Sequence, residues 1–191
     1  YAARGSIADP PLIGRTKATI LLAVPTLLQA LAKTEHGAEK LVSVELAVSG
    51  GAGLPGEVYD AFSKRFPTIR LVEGYGLTEA SPVVCCSALR VPAKANSIGQ
   101  PLPATDVRFA DLDNSRKVVP LGERGELQVK GPQVMLGYYD NQKESDAVFA
   151  DGYLRTGDVG YMDKDGYVFL VDRIKDLIIC SGFNVYPRVI E

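Results

Sequence analysis

The chain has 191 residues, 46% of them hydrophobic and 23% charged, ordinary proportions for a globular protein with a packed core. A formal net charge of −2, with no run of like charges, excludes a basic field for nucleic acid and an acidic or polybasic tail. Three cysteines, a single histidine (His36) and no Cys-x-x-Cys pair argue against a zinc site or a disulfide framework, and for reduced thiols in a cytoplasmic setting.

In chain order, KATILLAV (17–24) is a short apolar run ended by Pro25, which predicts a buried strand. The wider run ATILLAVPTLL is too short for a transmembrane segment, and no signal peptide is visible; peripheral membrane contact stays open. TLLQALAK (26–33) has helical spacing. VSVELAVSGG (42–51) alternates and stops at paired glycines, as a strand running into a loop does. Pro55 suits the first turn of a helix, and GEVYDAFSKRF (56–66) follows with Val58, Phe62 and Phe66 on one face. IRLVEGYG (69–76) reads as the next strand. The order strand, loop, helix, strand is an α/β pattern with a parallel sheet.

The character changes after residue 92. Short strands divided by turns follow, with MDKDG (162–166) as a hairpin turn and NQKESDAVF (141–149) as the one helical stretch. The fold class is therefore α/β plus β: a partial α/β layer over 1–92, a small β-barrel-like region over 93–172, and a connector over 173–191. The non-methionine start at Tyr1 and the abrupt end, GFNVYPRVIE, suggest a piece of a longer protein.

Four loops carry residues suited to ligand chemistry. In EGYGLTE (73–79), Gly74 and Gly76 permit close backbone approach. Tyr75 can lie against a planar base, Thr78 can donate to a phosphate oxygen, and Glu79 is a hard oxygen ligand suited to Mg²⁺. The loop follows a strand, where ligands sit in open α/β sheets; a β-turn with exposed polar residues explains the same letters. Ser49, Gly50, Gly51 and Ala52 in SGGAGLPGE lack the lysine of a GxxxxGK[ST] loop. They form either a backbone wall against a flat ligand or a connector into a helix. Asp158 in YLRTGDVG can accept from a ribose diol or serve as a turn residue. Asp172, Arg173, Lys175 and Asp176 form a solvated connector or a hinge. His36, in a polar stretch, is not credible as a catalytic group.

The ordered set EGYGLTE, GELQVKGPQVMLGYY, GYLRTGD and DRIKDLIICSGFNVYPR resembles the adenylate-forming superfamily of acyl-CoA synthetases, luciferases and peptide-synthetase adenylation domains, over essentially the whole chain. SGFNVYP most resembles the long-chain fatty-acid–CoA ligases. The resemblance implies ATP-dependent activation of a carboxylate, release of pyrophosphate and transfer of the acyl group to coenzyme A. It implies that the first two regions are parts of a large AMP-binding domain and that 173–191 leads into a small C-terminal domain.

By the same resemblance, Tyr75 stacks on adenine and Ser49, Gly50, Gly51 and Ala52 line its pocket, with Gly74 and Gly76 shaping the loop. Thr78 touches the α-phosphate and Glu79 binds Mg²⁺, these two being the catalytic pair. Asp158 and Arg173 hold the ribose, Lys175 marks the hinge, and Gly182 approaches the pantetheine tunnel. The family's phosphate-cradling loop and its adenylating lysine are not found, and Val189 stands where many relatives carry an acid. The resemblance thus implies that these 191 residues do not make acyl-CoA alone. Ligases acting on aryl acids or amino acids, and a non-catalytic nucleotide-binding fragment, are the alternatives.

Overall fold

A computed structural model describes residues 10–34, 38–88, 93–176, 178–180 and 183–185. The chain forms two compact units, one of residues 1–74 with 88–96, the other of 75–87 with 97–191. The change of unit falls inside a strand, at Gly74–Tyr75, upstream of the change in sequence character at residue 92.

In the first unit, α1 (Pro10–Thr16), β1 (Ile20–Ala23), α2 (Pro25–Lys33), β2 (Leu46–Ser49), α3 (Gly56–Arg65) and the start of β3 (Arg70–Gly76) follow one another. β1, β2 and β3 pair in parallel, Leu22 opposite Val48 and Val48 opposite Val72. Pro25 stands at the start of α2, where its missing N–H costs nothing. Val58 and Phe62 of α3 and Phe66 at its C-cap recur every fourth residue and are all buried. The Phe62 and Phe66 rings lie 4.9 Å apart, and both pack with Leu28, Leu31, Ala47 and Leu71.

β1 departs from the expectation of a buried strand, with Ile20 57% and Leu22 74% exposed. Strand side chains alternate: Leu21 and Ala23 face the core, and their neighbours point the other way. A continuous apolar run anticipates cover on both faces; among the described residues, only one face of β1 is packed.

The second unit is antiparallel. It takes the last two residues of β3, then β4 (Val83–Cys86) paired with β5 (Gln100–Pro101). β6 (Asp106–Ala110), β7 (Gly125–Lys130), α4 (Gln142–Val148), β8 (Phe149–Ala150), β9 (Tyr153–Met162) and β10 (Val168–Arg173) follow. The sheet runs β10-β9-β7-β6, with β8 also on β9, and its outer strands are not paired with each other among the described residues. The β9–β10 hairpin turns where expected: Asp163 accepts from the N–H groups of Asp165 and Tyr167, and Gly166 has φ +79°. β11 (Ile178–Cys180) and β12 (Phe183–Val185) form a last hairpin. The core gathers Ala80, Val84, Cys85, Phe109, Leu127, Val129 and Val168. No helix among the described residues is long and apolar enough to cross a membrane.

Candidate functional site

The loop after β3 is drawn tight by backbone contacts. A Cβ on Gly76 would lie 1.7 Å from the carbonyl oxygen of Pro82, which accepts from Leu77 N–H at 2.8 Å; only glycine fits there. Thr78–Ala80 then make one 3₁₀ turn, closed by Ser81 in the left-handed region (φ +50°). Thr78 is exposed and Glu79 half-buried. The carbonyl of Glu79 accepts from Met135 N–H at 2.8 Å, and its Oε1 accepts from the Tyr138 hydroxyl at 2.8 Å. That hydrogen bond raises the Tyr138 phenol above its usual range. Tyr138 is held in turn through its backbone N–H, which donates to Ser145 Oγ of α4 at 2.8 Å.

Asp158 stands in an irregular stretch of β9. Its carboxylate is 9% exposed and is met by two side chains distant in sequence: Arg173 Nε donates to Oδ1 at 2.8 Å and the Tyr75 hydroxyl to Oδ2 at 2.5 Å. Burial, then the charge of Asp158, pushes the Tyr75 phenol far up. Hydrogen bonding to Asp158 raises Arg173. Thr156 Oγ1 donates to Leu127 O at 2.8 Å and accepts from Asp158 N–H at 3.1 Å.

A cleft of about 370 Å³ in this unit is lined by Glu79, Glu126, Tyr138, Arg155, Thr156 and Arg173, with Leu77 and Val148 in its apolar wall. Of the residues singled out in the sequence, Tyr75, Asp158 and Arg173 form one bonded cluster, while Glu79 and Arg173 share the cleft. Lys175 is exposed in the Ile174–Asp176 turn just after β10.

Ser49–Ala52 and Gly74 belong to the first unit. There Gly51 has φ +81°, and a Cβ on Gly50 would sit 3.5 Å from Gly74 O, so the two glycine loops run side by side. Leu54 N–H donates to Glu73 Oε1 at 3.0 Å beside them. The Ser49 hydroxyl is fully buried, without a hydrogen-bond partner among the described residues. Gly182 and His36 lie outside the described residues.

Sequence reasoning assigned no role to Tyr138, Glu126, Arg155 or Thr156. The available signal, for Glu126 alone, was a carboxylate inside the strand GELQV, since a buried acid needs a partner.

The family model of AMP-binding enzymes matches residues 3–139. The long-chain-fatty-acid–CoA ligase of Yersinia pestis is 44% identical over 94% of this chain and 32% of its own length. That of Bacillus subtilis is 42% identical over 94% and 32%. A feruloyl-CoA synthase from Amycolatopsis is 38% identical over 94% and 36%. Among solved structures, ATP-bound MatB from Rhodopseudomonas palustris superposes with a TM-score of 0.87 at 33% identity, over 96% of this chain and 37% of that one. O-succinylbenzoate coenzyme A synthetase from Bacillus subtilis, in complex with AMP, gives 0.84 at 31% identity, over 98% and 38%. The chain spans about a third of the length of the curated relatives it matches. It belongs to the AMP-binding enzymes of the adenylate-forming superfamily.

Proposed function

We propose that the complete protein activates a long-chain fatty acid with ATP and passes the acyl group to coenzyme A. In the first step a carboxylate oxygen attacks the α-phosphorus and pyrophosphate leaves. In the second the thiol of coenzyme A attacks the acyl carbonyl and AMP leaves. The observation that carries the reading is the convergence on Asp158 of Tyr75 and Arg173, which lie 83 and 15 residues from it in sequence.

Each Asp158 oxygen takes one donor and retains a second lone pair, so the carboxylate can still accept from a vicinal diol. Asp158 and Arg173 hold the ribose, and Tyr75 offers its ring to the adenine. Thr78, exposed on its turn, donates to the α-phosphate. In the first unit, Ser49, Gly50, Gly51 and Ala52 with Gly74 give backbone that a flat base can approach, and in the second Gly76 does the same.

Glu79 keeps one oxygen beside the one bound by Tyr138. A single carboxylate suits Mg²⁺, which takes most of its ligands from phosphate and water. Among the described residues there is no cluster of three or more His, Cys, Asp or Glu that could hold a metal alone, so Glu79 fits that ion only when phosphates accompany it. Glu79 would hold such an ion where it could offset charge that builds on the phosphate oxygens. Residues 1–92 and 93–172 serve the AMP-binding domain, and 173–191 the hinge, with Lys175 at the pivot. The chain alone is inactive on this reading.

A second reading, an aryl acid as substrate, is favoured by the feruloyl-CoA synthase similarity. ATP–pyrophosphate exchange by the complete protein with palmitate, ferulate and amino acids separates the two. We expect exchange with palmitate, and its loss to below about 1% in Glu79→Ala across a magnesium titration, a loss of several kcal/mol in transition-state stabilisation. Exchange with ferulate alone selects the second reading; no exchange with any acid overturns both.

A further inference from the structure

Behind Asp158 the pairing of β7 with β9 is irregular. Glu126 stands opposite Val159 and Gln128 opposite Arg155, so Leu127 alone faces Thr156, Gly157 and Asp158. Such a bulge re-aims the side chains it carries. Gly157 has φ +72°, in the left-handed region, with nothing among the described residues within 4 Å of where a Cβ would stand; it is its conformation that favours glycine.

The bulge is tied down by a buried acid. Glu126 is 2% exposed. Its Oε2 accepts from Arg155 Nε at 2.9 Å and its Oε1 from Gly157 N–H at 3.3 Å. Thus one carboxylate grips the residue before Thr156 and the one after it, while Thr156 itself bonds across to Leu127 O and back to Asp158 N–H. A carboxylate in a central strand is costly unless paired, so its presence here calls for a reason beyond packing.

We infer that Glu126 is a positioning residue for the nucleotide site: by clasping Arg155 and the Gly157 amide it holds the β9 bulge in the form that aims Asp158 at Tyr75, Arg173 and the ribose. The inference rests on the nucleotide reading of Asp158 given above. Glu126 reaches the cleft wall with each oxygen already accepting, one from Arg155 and one from Gly157; it acts through Asp158, so its loss weakens nucleotide binding more than it slows chemistry.

The test is AMP titration by calorimetry on the complete protein, with Glu126→Gln and Glu126→Ala, alongside KM for ATP and for the acid and the unfolding midpoint. Glutamine preserves shape and one acceptor, and it leaves Arg155, 35% exposed, able to turn to solvent; it is expected to fold. The clasp predicts AMP affinity falling about tenfold in Glu126→Gln and further in Glu126→Ala, the value of one charge-assisted hydrogen bond. KM for ATP rises in parallel, with KM for the acid unchanged. Equal AMP affinity in wild type and Glu126→Gln overturns the positioning role and leaves the nucleotide reading standing. Equal rises in KM for ATP and acid reduce Glu126 to a structural residue and also overturn it. A wild-type protein that does not bind AMP overturns both. If Glu126→Ala does not fold, Glu126→Gln alone decides.

Discussion

At the scale of single residues, environment separates groups that look alike in the sequence. Cys85 and Cys86 are neighbours, yet Cys85 is fully buried and Cys86 half-buried. Burial pushes the Cys85 thiol from 9.0 up to about 12 and raises Cys86 as well. A thiol that stays neutral is a poor nucleophile. Native protein should therefore leave Cys85 unalkylated by iodoacetamide at about pH 8, as read by peptide mass; rapid labelling refutes its burial. The linkage has a definite sign. Below pH 9 both folded and unfolded chains carry the proton, and no stability is lost. Above it the unfolded chain ionises first, so stability falls as pH rises towards about 12. Tyr75, also raised by burial, acts in the same direction at still higher pH. Urea midpoints should drop between about pH 8 and about pH 10.5; a midpoint that rises contradicts the assignment.

Secondary-structure elements set the loops where the chemistry lies. The turn after β3 exists because Gly76 admits the Pro82 carbonyl where any side chain would collide. Gly76→Ala should cost at least about 4 kcal/mol or prevent folding, since the obstructing atoms are backbone and cannot rotate away. Gly56→Ala at the start of α3, where an added Cβ meets nothing, is the control and should fall within about 0.5 kcal/mol of wild type. Similar stabilities for the two variants, by denaturant unfolding, would dismiss the close approach. α4 shows the converse case of a legible element: Asn141 caps it by accepting from Glu144 N–H at 3.3 Å, as asparagine before a helical run does.

For the whole molecule, the decisive element is the connector after β10. Lys175 lies exposed in a turn that follows Arg173, a residue bonded to Asp158. On the proposed function, a pivot there would let one nucleotide meet different groups in turn, and a pivot must tolerate large φ/ψ changes. Proline fixes φ near −65°. Lys175→Pro in the complete protein should retain ATP–pyrophosphate exchange and lose about tenfold or more in thioester formation. Equal loss of both half-reactions would remove the hinge from the account.

Much of this protein could be read from residues alone. The helical face of Val58, Phe62 and Phe66, the MDKDG hairpin and the parallel strands before SGG and EGYG are local patterns, set by side-chain period and by glycine and proline geometry. The family, too, lay in short ordered stretches. The resemblance put Asp158 and Arg173 on one ribose, but the direct bonds between distant residues were beyond reach. That Tyr75 and Arg173 meet on Asp158, that Tyr138 holds Glu79, and that Glu126 grips both sides of Thr156 depend on strand pairing and on a bulge, for which one-dimensional spacing carries no signal. The exposure of Ile20 and Leu22 was decided in the same way, because an apolar letter states what a side chain prefers, while only the packed layers determine which face receives cover.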